Sequence, residues 1–135
     1  MTKLGSEYLR LIEQARVVRI NAYAPYSKFA VGAAVLAQSG RVYTGVNCEN
    51  VSFGGTICAE RAALTAAITA GERKFVAIAI ASSPSVTPCG ICRQMLSEFG
   101  DMDVLTGDGG DGDVKVTCLS ALLPDAFLDF SKGCG

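Results

Sequence analysis

Two stretches, Cys58-Ala59-Glu60-Arg61 and Pro88-Cys89-Gly90-Ile91-Cys92-Arg93-Gln94, combine residue types and spacings that could do chemistry. Cys89 and Cys92 stand three apart, so on one turn of helix, or in the tight turn entering one, both sulfurs address the same point. Cys58 adds a third sulfur from elsewhere in the chain. Three protein ligands leave the fourth tetrahedral position of zinc open to water, the arrangement of catalytic rather than closed structural sites. Glu60, two residues past Cys58, lies near such an ion without being needed to bind it. A carboxylate there can take a proton from an activated water and hand it to a substrate nitrogen. The chemistry implied is zinc-assisted hydrolysis.

The chain contains no histidine. That excludes Ser-His and Cys-His nucleophile pairs and imidazole ligands, and leaves carboxylate, lysine, thiolate or tyrosine as the general base. Thiolates select zinc or iron–sulfur over magnesium or calcium, and no tight four-cysteine cluster pattern is present. Three thiolates on one Zn²⁺ carry net negative charge that something must offset. Cys58 opens the apolar run 58–70 and Pro88 precedes Cys89 as a proline would in a first helical turn, so both cysteine groups are expected at helix N-termini. Arg61 and Arg93, each next to a ligand, are expected to hydrogen-bond to sulfur, and Gln94 is counted with them around the ligands.

These groups need a scaffold. At 135 residues and 50% hydrophobic, the chain suits one compact domain spanning 1–135. A net charge of −1 gives no basic footprint for a polynucleotide, so a small uncharged substrate is expected and nucleic acid is not. The N-terminus lacks the apolar core of a signal peptide and no apolar run reaches membrane-spanning length, which predicts a cytoplasmic protein without a membrane partner. In that reducing setting six cysteines favour metal binding over disulfides.

Apolar Tyr8, Leu9, Leu11, Ile12, Ala15, Val18 and Ile20 recur at helical spacing opposite Glu7, Arg10, Glu13, Gln14 and Arg16, predicting an amphipathic first helix that ends before Pro25. Residues 29–37 and 41–47 read as a β-hairpin turning at Gly40, and 47–57 as a loop leading into Cys58. A helix over 58–70 stopped by Gly71, a buried parallel-type strand over 75–81, a helix over 89–99, strands over 102–106 and 114–118 and a turn at 120–123 follow. The helix–strand–helix order brings both helix N-termini to one end of a sheet and closes the gap of 31 positions from Cys58 to Cys89. Gly107–Asp113 hints at a calcium loop but lacks the closing glutamate, so a flexible hairpin connection is expected. Cys48, Cys118 and Cys134 are read as structural or incidental.

Read in order, Tyr26-Ser27-Lys28-Phe29-Ala30-Val31-Gly32-Ala33-Ala34, Gly45-Val46-Asn47-Cys48-Glu49-Asn50, the two cysteine stretches and Leu122-Leu123-Pro124-Asp125-Ala126-Phe127 resemble the small homotetrameric zinc-dependent cytidine deaminases over nearly the whole chain. The cysteine stretches also match the zinc deaminase signature, in which the glutamate is acid and base rather than ligand. The resemblance implies a three-layer α/β/α fold with a mixed five-stranded sheet. It also implies one zinc ion per subunit and a homotetramer whose active sites are shared between subunits. The implied reaction is hydrolytic deamination of cytidine and 2′-deoxycytidine, in pyrimidine salvage. It further implies ribose binding by Asn47 and Glu49, Phe29 against the pyrimidine, backbone around Ala59 and Thr87 reading the base edges, and Phe127 reaching a neighbour's site. From the residues alone, Asn47 and Glu49 read equally as a strand-end cap and Phe29 as core. Phe53 stands where the family pattern has tyrosine, which bears on substrate choice. Two other readings remain open: a modified cytosine nucleoside as substrate, and a non-catalytic zinc module closed by a fourth thiolate such as Cys48.

Overall fold

The computed structural model describes residues 4–110 and 112–130. Cys134, Asp111 and Met1 to Lys3, which entered the sequence reading, lie outside the described residues. Helix α1 (Ser6–Val18) passes through a 3₁₀ turn (Arg19–Asn21) into a loop, then the hairpin β1 (Val31–Ala37) and β2 (Val42–Val46). After a second loop come α2 (Ala59–Thr69), β3 (Phe75–Ser82), α3 (Gly90–Ser97), β4 (Asp103–Gly107), β5 (Val114–Cys118) and the short α4 (Leu119–Leu122). The five strands form one sheet in the order β2-β1-β3-β4-β5. Only β3 and β4 run parallel; β1 pairs antiparallel with both β2 and β3. The buried run at 75–81 is therefore parallel-paired on one side only. What its apolarity reports is burial of both faces, not strand direction.

The period-2 rule divides the core between the two faces. Val31, Ala33 and Val35 of β1 and Ile78 and Ile80 of β3 meet Ala63, Leu64 and Ala67 of α2 and Leu96 of α3. On the opposite face Ala34, Leu36, Ala77, Ala79, Ala81 and Leu105 meet Leu11, Ile12 and Ala15 of α1. The result is the expected three-layer α/β/α arrangement. The α1 face is mostly alanine, so that helix lies close to the sheet. A Cβ on Gly32 would fall 2.1 Å from the Ala15 carbonyl oxygen.

Several boundaries differ from the sequence expectation for physical reasons. Leu9 (51% exposed) and Ile20 (87% exposed) are not core. The 3₁₀ turn changes the helical phase after Val18, and Arg19 takes the inward position by donating from Nε to the Ala30 carbonyl at 2.9 Å. Arg16 is likewise half-buried, donating from Nε to Asp108 O and from Nη2 to Gly112 O, both at 2.9 Å. It clasps the β4–β5 connection that had read as a flexible loop. Gly40 makes the hairpin turn at φ +93°. Helix α2 ends in a Schellman motif, with Gly71 N–H on Ile68 O and Glu72 N–H on Ala67 O. Among the described residues no helix is long and apolar enough to cross a membrane.

Candidate active site

Strands β2 and β3 run the same way, each leading through a loop into a helix, so the N-termini of α2 and α3 meet at one end of the sheet. Cys58 and Cys89 are the N-cap residues of those helices, in extended backbone (φ −75° and −67°), and neither caps its own helix through its side chain. Both sulfurs are thus free to point away from the helix, while first-turn N–H groups and the positive dipole end face them. Pro88 sits one residue earlier than the sequence suggested, before the cap rather than in the first turn.

The three sulfurs of Cys58, Cys89 and Cys92 converge: Cys58 to Cys89 is 3.9 Å and Cys89 to Cys92 is 3.5 Å. Zinc–sulfur bonds of about 2.3 Å at tetrahedral angles place ligand sulfurs about 3.8 Å apart, so this donor set fits zinc with one position left over. Among the described residues it is the one such group, and Cys48 is not part of it. A closed four-thiolate site built with Cys48 does not match this geometry.

Arg61 lies against this cluster as expected, donating from Nη2 to the Cys58 sulfur at 3.6 Å and to the Thr56 carbonyl at 3.0 Å. Its Nε–H is buried with no acceptor among the described residues. Hydrogen bonding from the Cys92 thiol, with Arg61 adding, lowers the Cys58 thiol to about 5. The same contact, together with burial and the charge of Glu60, pushes Cys92 upward. Glu60 is only 6% exposed. Burial raises its carboxyl above the ordinary range, and the charge at Cys58 adds to the effect.

Arg93 and Gln94 do not touch the sulfurs. Arg93 donates from Nε to Pro88 O at 2.6 Å, from Nη1 to Leu122 O at 2.7 Å and from Nη2 to Thr87 Oγ1 at 2.9 Å. Gln94 donates to the Phe127 carbonyl at 2.8 Å. Both therefore organise the loop before α3 and the C-terminal segment. The reason is reach: carbonyls left free by the loop and by the end of α4 lie closer to them than any thiolate.

A cavity of about 270 Å³ opens over the cluster, and Phe29, Asn47, Glu49, Ala59, Glu60 and Thr87 all line it with Cys58 and Cys89. Asn47 and Glu49 are nevertheless occupied by the protein itself. Asn47 Oδ1 accepts from Val31 N–H at 2.9 Å and its Nδ2 donates to Phe29 O at 2.7 Å. Glu49 accepts from the backbone N–H of Tyr26 (3.0 Å) and Ser27 (3.1 Å) and from the Ser27 hydroxyl. The Ser27 hydroxyl, and then these N–H groups, hold its carboxyl below the usual range. Lys28 takes the left-handed conformation (φ +60°) immediately before Phe29. Phe127, 60% exposed, does not line this cavity.

The sequence reading missed Ser27 and Thr56, both of which line the cavity; short polar loop residues carry no spacing signal. A second cavity, about 290 Å³, adjoins the first through Ser27, Glu49 and Thr56 and is edged by Tyr26 and Phe53. Those two rings meet edge-on at 5.2 Å. A larger groove of about 520 Å³ along α1, beside Val17 and Ile20, holds none of the thiolates, so chemistry rather than size picks out the site.

Residues 6–108 match the family model described as the cytidine and deoxycytidylate deaminase zinc-binding region. A cytidine deaminase of Sporosarcina psychrophila is 44% identical over 122 residues, covering 87% of this chain and 89% of that one. One from Halalkalibacterium halodurans is 46% identical over 120 residues, covering 87% and 91%. The crystal structure of cytidine deaminase from Burkholderia pseudomallei superposes with a TM-score of 0.83 at 45% identity, over 94% of this chain and 100% of that one. With the site's three-thiolate geometry and buried glutamate, these likenesses establish that the chain belongs to the zinc-binding family of cytidine and deoxycytidylate deaminases.

Proposed function

We propose that this chain hydrolyses the exocyclic amino group of cytidine and 2′-deoxycytidine, giving the uridines and ammonia. The observation that carries this reading is the buried Glu60, its carboxyl raised above the ordinary range, lining the same small cavity as Cys58 and Cys89 of the three convergent thiolates. Zinc, held by Cys58, Cys89 and Cys92, supplies when bound the Lewis acidity that makes water nucleophilic near neutral pH. Glu60 accepts a proton from the water attacking C4 of the ring and delivers it to N3; it then takes the remaining proton of the C4 hydroxyl and passes it to the amino group, which leaves as ammonia as the C4 carbonyl forms. Burial suits it to this work, since a carboxyl with a raised pKa both holds and releases a proton more readily near neutrality.

Phe29 packs against the pyrimidine, and backbone groups of Ala59 and Thr87 meet its polar edge. Asn47 and Glu49 bind the ribose hydroxyls while tied to the loop that carries Phe29. Arg61 balances the thiolate charge; Arg93 and Gln94 hold the surrounding loops. Phe127, exposed and outside its own chain's cavity, reaches the site of a neighbouring subunit in a homotetramer. The protein works in the cytoplasm, in pyrimidine salvage, on a free nucleoside rather than on nucleic acid.

The test is metal content per chain with cytidine-to-uridine conversion followed by ultraviolet absorbance, for the native protein and Glu60→Ala. One zinc per chain in both, with turnover in the native protein alone, is the expected result. Zinc without turnover in either, on cytidine and deoxycytidine alike, would refute the reading in favour of a modified substrate or a non-catalytic zinc module. Sedimentation analysis, with Phe127→Ala lowering activity but not metal content, checks the shared-site tetramer.

A further inference from the structure

We propose that Gly45, in the edge strand β2, is a positioning residue for the metal centre: lacking a side chain, it lets the first turn of α2 lie backbone to backbone on the strand, and so sets the distance of Cys58 from Cys89 and Cys92. This rests on reading the three cysteines as a zinc centre. A Cβ at Gly45 would lie 2.3 Å from Ala63 N, 2.8 Å from Ala59 O and 2.8 Å from Ala62 C. All three are backbone atoms, so no rotamer change relieves the contact. The first turn of α2 would have to lift by roughly 1 Å to regain ordinary van der Waals separation. Ala59 lies between Cys58 and Glu60, and any displacement of its carbonyl carries both neighbours with it.

Cys89 and Cys92 stand at the start of α3, which packs on α4 as well as on α2 and has no main contact with the β2 edge, so α2 can lift without carrying them the full distance. The 3.9 Å gap between the Cys58 and Cys89 sulfurs already matches the span of a tetrahedral zinc. A lift of α2 relative to α3 therefore distorts the ligand set and displaces Glu60 with Cys58. Gly32 provides a matched contrast. Its added Cβ would lie 2.1 Å from Ala15 O and 2.8 Å from Arg19 N, an equally severe backbone clash, but against α1, which carries none of the ligands.

The experiment compares native protein, Gly45→Ala and Gly32→Ala by melting temperature, zinc affinity in competition with a chromophoric chelator, and the visible absorption of Co²⁺ bound in place of zinc. Both variants are expected to melt earlier. Only Gly45→Ala should lose zinc affinity, by roughly 10- to 100-fold as when a group orienting a ligand is lost, and only it should change the cobalt spectrum. An unchanged affinity and spectrum in Gly45→Ala, or an equal loss in Gly32→Ala, overturns the proposal. Native protein that binds neither metal would instead overturn the reading of the metal centre itself. Should Gly45→Ala fail to fold, Ala63→Val takes its place, adding bulk at the fully buried face of the same helix. The same loss of affinity supports the proposal there, and its absence overturns it.

Discussion

Asn47→Ala separates a group that only binds substrate from one that also builds the site. The Asn47 amide closes a short circuit between the end of β2 and the start of β1, receiving the Val31 N–H and donating to the Phe29 carbonyl. Truncation leaves the buried Val31 N–H without a partner and the half-buried Phe29 carbonyl short of one. Each orphaned group costs about 1–3 kcal/mol, less where water can reach it, so about 2–4 kcal/mol of stability is expected to go. For a chain of this size that corresponds to a melting temperature lower by roughly 10 °C. Asn47→Asp should not rescue it. The carboxylate keeps the acceptor for Val31 but sets an oxygen against the Phe29 carbonyl where the amide had a donor. The assay is urea unfolding at fixed zinc concentration, because bound metal adds to stability, beside KM for cytidine. Lower midpoints in both variants together with raised KM are expected. Native midpoints with only KM raised would refute the argument that the amide is committed to the fold.

Arg93→Ala removes three hydrogen bonds from a charged donor group to Pro88, Leu122 and Thr87. It should cost about 2–3 kcal/mol and raise KM while leaving one zinc per chain; loss of the metal instead would place Arg93 at the thiolates. Asp101, whose carboxylate receives the Ser120 hydroxyl and the N–H groups of Ser120 and Met102, is held below its ordinary 3.8 chiefly by the Ser120 hydroxyl. A depressed folded-state value stabilises above the unfolded value and is lost as pH falls through the folded one. The melting-temperature advantage of native protein over Asp101→Asn should therefore be constant near neutrality and narrow below about pH 5. An advantage independent of pH would mean the carboxylate charge plays no part.

The elements and the metal ligands were legible because they depend on local rules. Cysteine spacing, the alanine-rich run after Cys58, glycines at the hairpin turn and the helix stop, and a strand of uninterrupted apolar residues each carry their meaning within a few positions. The hydrogen-bond partners of polar side chains did not. Arg93 directly follows a ligand cysteine and Arg61 stands three positions past one, yet only Arg61 meets sulfur. What separates them is which carbonyls the loops leave free, and that is fixed by residues tens of positions away. Ile20 reads as a continuation of the apolar stripe until the 3₁₀ turn rotates it outward, a change of helical phase that composition does not record. Gly45 was visible only as part of a motif, because the close approach it permits belongs to the packed helix.

The order of strands in the sheet has a consequence for the chain as it is made. β1 is buried on both faces, but its inner neighbour β3 arrives only at residues Phe75–Ser82. While a ribosome is still extending the chain, the apolar segment Val31–Ala37 has its hairpin partner on one side and an open edge on the other. Such an edge invites pairing with other nascent chains. Cys89 and Cys92 emerge later still, so zinc cannot bind to all three thiolates until the strand that closes this edge has been synthesised. Metal capture is thereby a late event in biogenesis, and a polypeptide stalled before Phe75 would be both aggregation-prone and unable to be rescued by added zinc.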